Sequence, residues 1–183
     1  MTSDLSAVFQ LLASGFSFPD GERFSPAFFH AVKELAGACG FETGHIAYGL
    51  QELQEAYTRL FINAPGGIIA PPYASVYIAG QGLLMQEGHD QAREFYQKAG
   101  LEPLANGEPA DFLPLEFSFA AILLERGDLE LLSQFLEKHL WRWFQVFEKR
   151  VEASRPHPFY SLMVRLGRFY LKKLKEEVFD EAT

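Results

Sequence analysis

The sequence predicts an all-α protein, a helical bundle of about seven or eight helices in two loosely divided halves. Three observations predict it. Apolar residues recur at steps of three and four along most of the chain, the spacing of an amphipathic helix face. No alternating apolar and polar run of useful length argues for a sheet; "GGIIA" at 66–70 is too short. The 183 residues include 18 phenylalanines, which suit thick helix contacts filled with rings.

Leu5, Val8, Phe9 and Leu12 stripe a first helix. Phe28, Phe29, Val32 and Leu35 stripe a second, opened by Ser25 and Pro26, because proline is favoured at the first helical position. Residues 46–61 form the clearest pattern: Ile46, Leu50, Leu53, Tyr57, Leu60 and Phe61 step by three and four among Gln and Glu. "NAPGGIIAPPY" at 63–73 ends that helix with two glycines and three prolines. A further helix is expected from near Tyr73 to about Leu84, and another through "GHDQAREFYQKAG", with Asp90 as its cap and Gly100 as its stop. Three long helical patterns come after it, at about 111–126, 128–153 and 157–179, separated by "RG" and "SRPHP".

"LEPLANGEP" at 101–109 is polar and rich in turn residues. The chain is accordingly read as one all-helical domain, 1–183, with an N-terminal half 1–100, a hinge-like linker 101–110 and a C-terminal half 111–183.

The 24 acidic and 16 basic residues leave a formal charge of −8, and no basic patch suits nucleic acid. An acidic surface suits a basic partner. A single cysteine, Cys39, excludes a disulfide framework within the chain and a Cys-rich metal site. The start "MTSDLSAVFQ" lacks the basic opening of a signal peptide, and no apolar run reaches the ~18 residues of a membrane span. A cytoplasmic protein is expected.

Catalytic signatures are scarce. There is no phosphate-binding loop, no GxSxG and no HExxH. "ETGH" at 42–45 has the Glu-x-x-His spacing of di-iron bundles, but such a site needs a second copy and two more carboxylates. It is read as a turn or helix start. The histidines, His30, His45, His89, His139 and His157, do not pair at helical spacing and are read as solvated or singly satisfied. No catalytic residue, metal or cofactor is expected.

The stretch "NGEPADFLPLEFSF" at 106–119 places Glu108 and Asp111 before an apolar run. Asp111 suits a helix N-cap, since its carboxylate accepts orphan N–H groups of the first turn; the helix would then start at Phe112 and carry Pro114 as its third residue, and Asp111→Ala would cost about 1 kcal/mol. Beyond capping, an acidic loop and the aromatic "PPYASVY" loop at 71–77 together suit a peptide bearing arginine and apolar side chains. Acid–base catalysis by Glu108 and Asp111 is an alternative that lacks a visible nucleophile.

The order of motifs resembles the TorD/DmsD/NarJ-type family of redox-enzyme maturation chaperones. "YTRLF" at 57–61 is similar to its Tyr-x-x-Leu-Phe. "PPYASVY" resembles its Pro-Pro-aromatic loop, and "EFYQKAGL" at 94–101 its Phe-Tyr-x-x-x-Gly-Leu. "EPADFLPLEFSFAAILL" at 108–124 resembles its Glu-Pro-x-Asp-His signature and following helix, and the closing "HLWRWFQVFEKRVEASRPHPFYSLMVRLGRFYL" is also similar to the family pattern. The resemblance implies an all-helical cytoplasmic chaperone, not an enzyme. It would bind an apo molybdoenzyme of the dimethyl-sulfoxide-reductase type through its twin-arginine leader peptide and assist cofactor insertion before export. It implies a monomer or a domain-swapped homodimer hinged at 101–110. The implied client-peptide-binding residues are Tyr73, Ser75, Tyr77, Glu108, Pro109, Asp111 and Phe112. Tyr57, Leu60 and Phe61 also match, but their helical phase places them in the core. Phe112 stands where the family carries histidine, and Pro114 falls in a first turn that usually lacks proline. A helical adaptor or assembly subunit without leader recognition is the rival reading.

Overall fold

Helix α1 (Thr2–Gly15) buries Leu5, Phe9 and Leu12, as its stripe requires. The structure, a computed structural model, describes residues 2–44, 48–78, 87–102 and 107–181. Helix α2 (Pro26–Ala38) opens as expected: Ser25 caps it by accepting from the Phe28 N–H at 3.4 Å, and Pro26 begins it. Phe24, Phe28, Phe29 and Phe159 form a ring cluster beneath it.

Helix α3 (Leu50–Tyr57) passes without a break into a π-helical turn (Thr58–Ile62). Ile46 lies outside the described residues, and Leu50 is exposed, so the buried stripe is Leu53, Tyr57, Leu60 and Phe61. The π turn inserts one residue into the helical repeat. Leu60 and Phe61 stay on the buried face that their spacing from Tyr57 predicts, while Ile62 projects outward. Of the helix expected at 73–84, the described part forms only a single 3₁₀ turn (Ala74–Val76); residues 79–86 lie outside the described residues.

Helix α4 (Glu87–Lys98) starts three residues before Asp90, which sits within the first turn and is not the cap. Helices α5 (Leu113–Arg126) and α6 (Leu129–Phe135) meet at Gly127, whose left-handed φ of 69° reverses the chain without a Cβ clash. Helix α6 continues through a second π turn (Leu136–Leu140) into α7 (Trp141–Ala153), so the predicted helix 128–153 is continuous. Helix α8 (Pro158–Glu181) closes the bundle. Among the described residues there is no strand, only an isolated bridge between Tyr73 and Phe112.

The core is continuous across the central linker. Helix α1 packs along α5, and Phe9 and Phe16 both meet Phe117 of α5 at about 6 Å. Phe16, Phe61, Phe147 and Tyr160 extend these ring contacts to α7 and α8.

Candidate functional site

Two segments far apart in sequence, 71–78 and 107–112, are fastened to each other. The Ala74 N–H donates to the Asp111 carbonyl at 3.1 Å, and the Leu113 N–H donates to the Pro72 carbonyl at 2.9 Å. Between them, Asp111 Oδ2 accepts from the Ser75 N–H at 2.7 Å and from Ser75 Oγ at 2.6 Å. Asp111 is fully buried and Ser75 is 1% exposed. Asp111 is therefore not the cap of α5. The N-cap position is Phe112, without a side-chain bond, and Pro114 is the second helical residue, where no intrahelical N–H bond is lost. The carboxylate instead satisfies the Ser75 N–H of the 3₁₀ turn, which would otherwise be buried without an acceptor.

Helix α4 completes the fastening. The His89 N–H donates to Ser75 Oγ at 3.1 Å, and His89 Nδ1 accepts from the Ala110 N–H at 3.0 Å. Tyr96 Oη donates to the Ala110 carbonyl at 2.7 Å. Gly88 lies so close to the 3₁₀ turn that a Cβ there would sit 2.5 Å from Ser75 N. Asp111 Oδ1, the second carboxylate oxygen, is buried without a hydrogen bond, 3.8 Å from His89 Nδ1.

This fastening presents a cleft of about 280 Å³. Tyr73 and Phe112 stack with centroids 5.2 Å apart, and Tyr73 Oη donates to Glu108 Oε2 at 2.9 Å. Burial, and then that bond to Glu108, push the Tyr73 phenol well above its ordinary value, so it stays a donor. Opposite stand Tyr57, Phe61 and Arg23, and the exposed Phe18 (44%) and Ile62 (47%) extend the apolar wall outward. Arg23 is itself paired with Asp20 at 3.0 Å.

Of the residues expected to bind peptide, Tyr73, Glu108 and Phe112 line this cleft. Pro109 is half-buried beside it. Ser75 and Asp111 lie behind its wall and hold it in shape. Tyr77 points elsewhere, stacking on Trp143 at 5.6 Å with the Arg150 guanidinium 5.8 Å from its ring centroid. The cleft's other wall was not legible as such. Tyr57 and Phe61 are core residues, as their phase predicted, yet they also line the cleft.

A second polar cluster has no signature in the sequence. Glu116 and His139 are both fully buried, with His139 Nε2 2.6 Å from Glu116 Oε1. Trp143 Nε1 donates to Glu116 Oε2 at 2.9 Å, and His139 Nδ1 lies 3.2 Å from Gln91 Oε1. His139 is thus doubly satisfied in the core, contrary to the expectation of a solvated or singly bonded ring. Burial raises the Glu116 carboxyl, partly offset by His139 and Trp143. The network ties α4, α5 and the second π turn together.

Among the described residues no three His, Cys, Asp or Glu side chains converge as a metal site would need, and no helix is long and apolar enough to cross a membrane. Of "ETGH", Glu42 and Gly44 lie in irregular backbone and His45 is outside the described residues.

The family model described as nitrate reductase delta subunit matches residues 22–149. The chaperone protein TorD of Vibrio cholerae is 31% identical over 136 residues, which cover 68% of this chain and 61% of its own length. A Haemophilus influenzae protein described as the Tat proofreading chaperone DmsD is 29% identical over 126 residues, with the same coverage of 68% and 61%. The chain thus spans about three fifths of the length of these curated relatives. A crystal structure from Archaeoglobus fulgidus, described as a redox enzyme maturation protein, superposes with a TM-score of 0.61 at 28% identity, covering 96% of this chain and 94% of that one.

Proposed function

Since the chain belongs to the nitrate reductase delta subunit family, we propose that it is a cytoplasmic chaperone for the maturation of a molybdoenzyme. Its client is the apo catalytic subunit of an enzyme of the dimethyl-sulfoxide-reductase type. It holds that client by its twin-arginine leader until the cofactor is inserted. Binding requires no chemistry of the chain, which acts as a monomer or a swapped dimer hinged at 101–110.

The observation that carries this reading is the pairing of Glu108 with the Tyr73–Phe112 stack in one cleft whose outer wall carries exposed Phe18 and Ile62. A leader peptide has a cationic start and an apolar middle. A guanidinium can bond the Glu108 carboxylate while lying over the Tyr73 ring. The apolar middle then covers Phe18 and Ile62, whose exposure is costly in water. Ser75 and Asp111 contribute by keeping the wall rigid, which lowers the ordering cost of binding.

The test is anisotropy of a labelled synthetic leader with paired arginines against the full chain. Glu108→Gln should weaken binding about tenfold, the loss of one charge-assisted contact, with an unchanged helical signal. Replacing both leader arginines by glutamine should do at least as much. If Glu108→Gln binds like the parent protein, the cleft is not the leader site. A tagged pull-down from the native host, grown by anaerobic respiration, should recover a molybdoenzyme catalytic subunit with its leader attached.

A further inference from the structure

On the other side of the α3 π turn lies a pocket of about 240 Å³, between that turn and the connection from α7 to α8. Its floor is apolar, formed by Leu60, Ile69 and Pro156. Its polar wall holds Arg59, Arg155 and His157, and no carboxylate lines it in a chain of formal charge −8.

The nearby acids are already engaged. Glu52 Oε1 lies 2.9 Å from His157 Nε2, Glu55 accepts from Gln51 at 3.0 Å, and Glu152 accepts from Ser161 Oγ at 3.0 Å. His157 Nδ1 also accepts, from the Phe159 N–H at 3.2 Å, so the imidazole is held as a fixed wall. Neither Arg59 nor Arg155 makes a side-chain hydrogen bond or an ion pair among the described residues, and both are exposed.

Arg155 also occupies an unfavourable backbone. Its φ of 52° is the left-handed conformation that glycine or asparagine ordinarily supplies after a helix, and it precedes Pro156, which further restricts it. A cation near the end of α7 interacts favourably with the helix dipole. That accounts for Arg155 alone, not for Arg59, which comes from a different element and lines the same pocket.

We propose that this pocket is a second binding site, for an acidic segment of polypeptide that places a carboxylate between Arg59 and Arg155 and an apolar side chain on Leu60 and Ile69. The size favours this occupant. Small-molecule and cofactor sites run to ~300–1,000 Å³, whereas this space holds one or two side chains. The charge sorts it from the leader site: cationic peptide belongs at Glu108, anionic peptide here. The inference goes beyond leader binding and stands without it.

The probe is acetyl-Gly-Asp-Leu-Asp-Gly-amide, titrated into the full chain and followed by amide and arginine side-chain NMR shifts. Saturable shifts are expected at residues 56–60 and 154–157. The peptide with Asn for Asp should bind at least about tenfold more weakly, since neutral amides forfeit the charge-assisted bonds. Arg59→Gln and Arg155→Gly should each weaken the acidic peptide about fivefold and leave leader-peptide affinity unchanged. Arg155→Gly relieves the left-handed backbone, so unfolding cannot explain its loss. Equal binding of the Asn peptide, inorganic phosphate binding as tightly as the acidic peptide, or no effect of either arginine variant would overturn the proposal. Loss of leader binding in Glu108→Gln alone bears on the first site and leaves this one standing.

Discussion

Asp111→Ala should cost about 3 kcal/mol of stability, roughly three times what a helix cap loses. The substitution removes two hydrogen bonds to a buried carboxylate, from Ser75 N at 2.7 Å and Ser75 Oγ at 2.6 Å. Each such bond contributes about 1.5–3 kcal/mol, and the buried Ser75 N–H is left without its acceptor. Against this, burying the unpartnered Oδ1 is itself costly, and alanine removes that penalty. The balance is about 3 kcal/mol, a fall of about 6–12 °C in the melting midpoint for a chain of this size. Asp111→Asn keeps one acceptor oxygen for both Ser75 donors, but its amide finds no acceptor at His89 Nδ1, which already accepts from the Ala110 N–H, so it should cost less than alanine, about 1–2 kcal/mol. Urea denaturation followed by circular dichroism at 222 nm separates the two variants. If Asp111→Ala costs about 1 kcal/mol or less, the carboxylate is no more than a cap and does not fasten the two segments.

The same geometry sets three further outcomes. Gly88→Ala should destabilise by about 1–3 kcal/mol, although alanine is the better helix former, because its Cβ would meet backbone atoms of the 3₁₀ turn at 2.5–2.9 Å; an unchanged or raised urea midpoint would show that α4 can shift. Glu116 has its carboxyl raised in the fold, so it contributes stability that is complete below its unfolded value near 4.5 and is lost as pH rises through the folded value. Glu116→Gln can still bond Trp143 and His139 but cannot titrate there, so the parent's advantage over it should shrink from pH 4 to pH 7; a constant or growing difference in urea midpoints would contradict the burial argument. Tyr57→Phe loses the bond from Tyr57 Oη to the Phe16 carbonyl at 3.2 Å and should cost about 1 kcal/mol in the same assay while leaving leader anisotropy within about twofold.

The sequence by itself determined most of the helices, though not the 3₁₀ turn at Ala74–Val76, which stands in place of the longer helix expected there. Ser25 before Pro26 and the three-and-four spacing of Leu53, Tyr57 and Leu60 are local signals, and local hydrogen bonding obeys them. The sequence also grouped Tyr73, Glu108 and Phe112 by resemblance. It could not show that these three line a cleft while Ser75 and Asp111 lie behind it. Asp111 has the position and chemistry of a cap, and nothing local distinguishes a carboxylate that caps its own helix from one that reaches a turn 36 residues away. The π turns were equally hidden, since one extra residue leaves an apolar stripe nearly intact while rotating the helix beyond it. His139 sits in a leucine and phenylalanine stripe, a signal of burial, but its acid Glu116 lies 23 residues earlier on another helix. Only the packing of α4 and α5 against the π turn brought them together. Periodicity records which face of a helix is turned inward; it does not record which other helix will be there, and buried polar groups are paired by that neighbour.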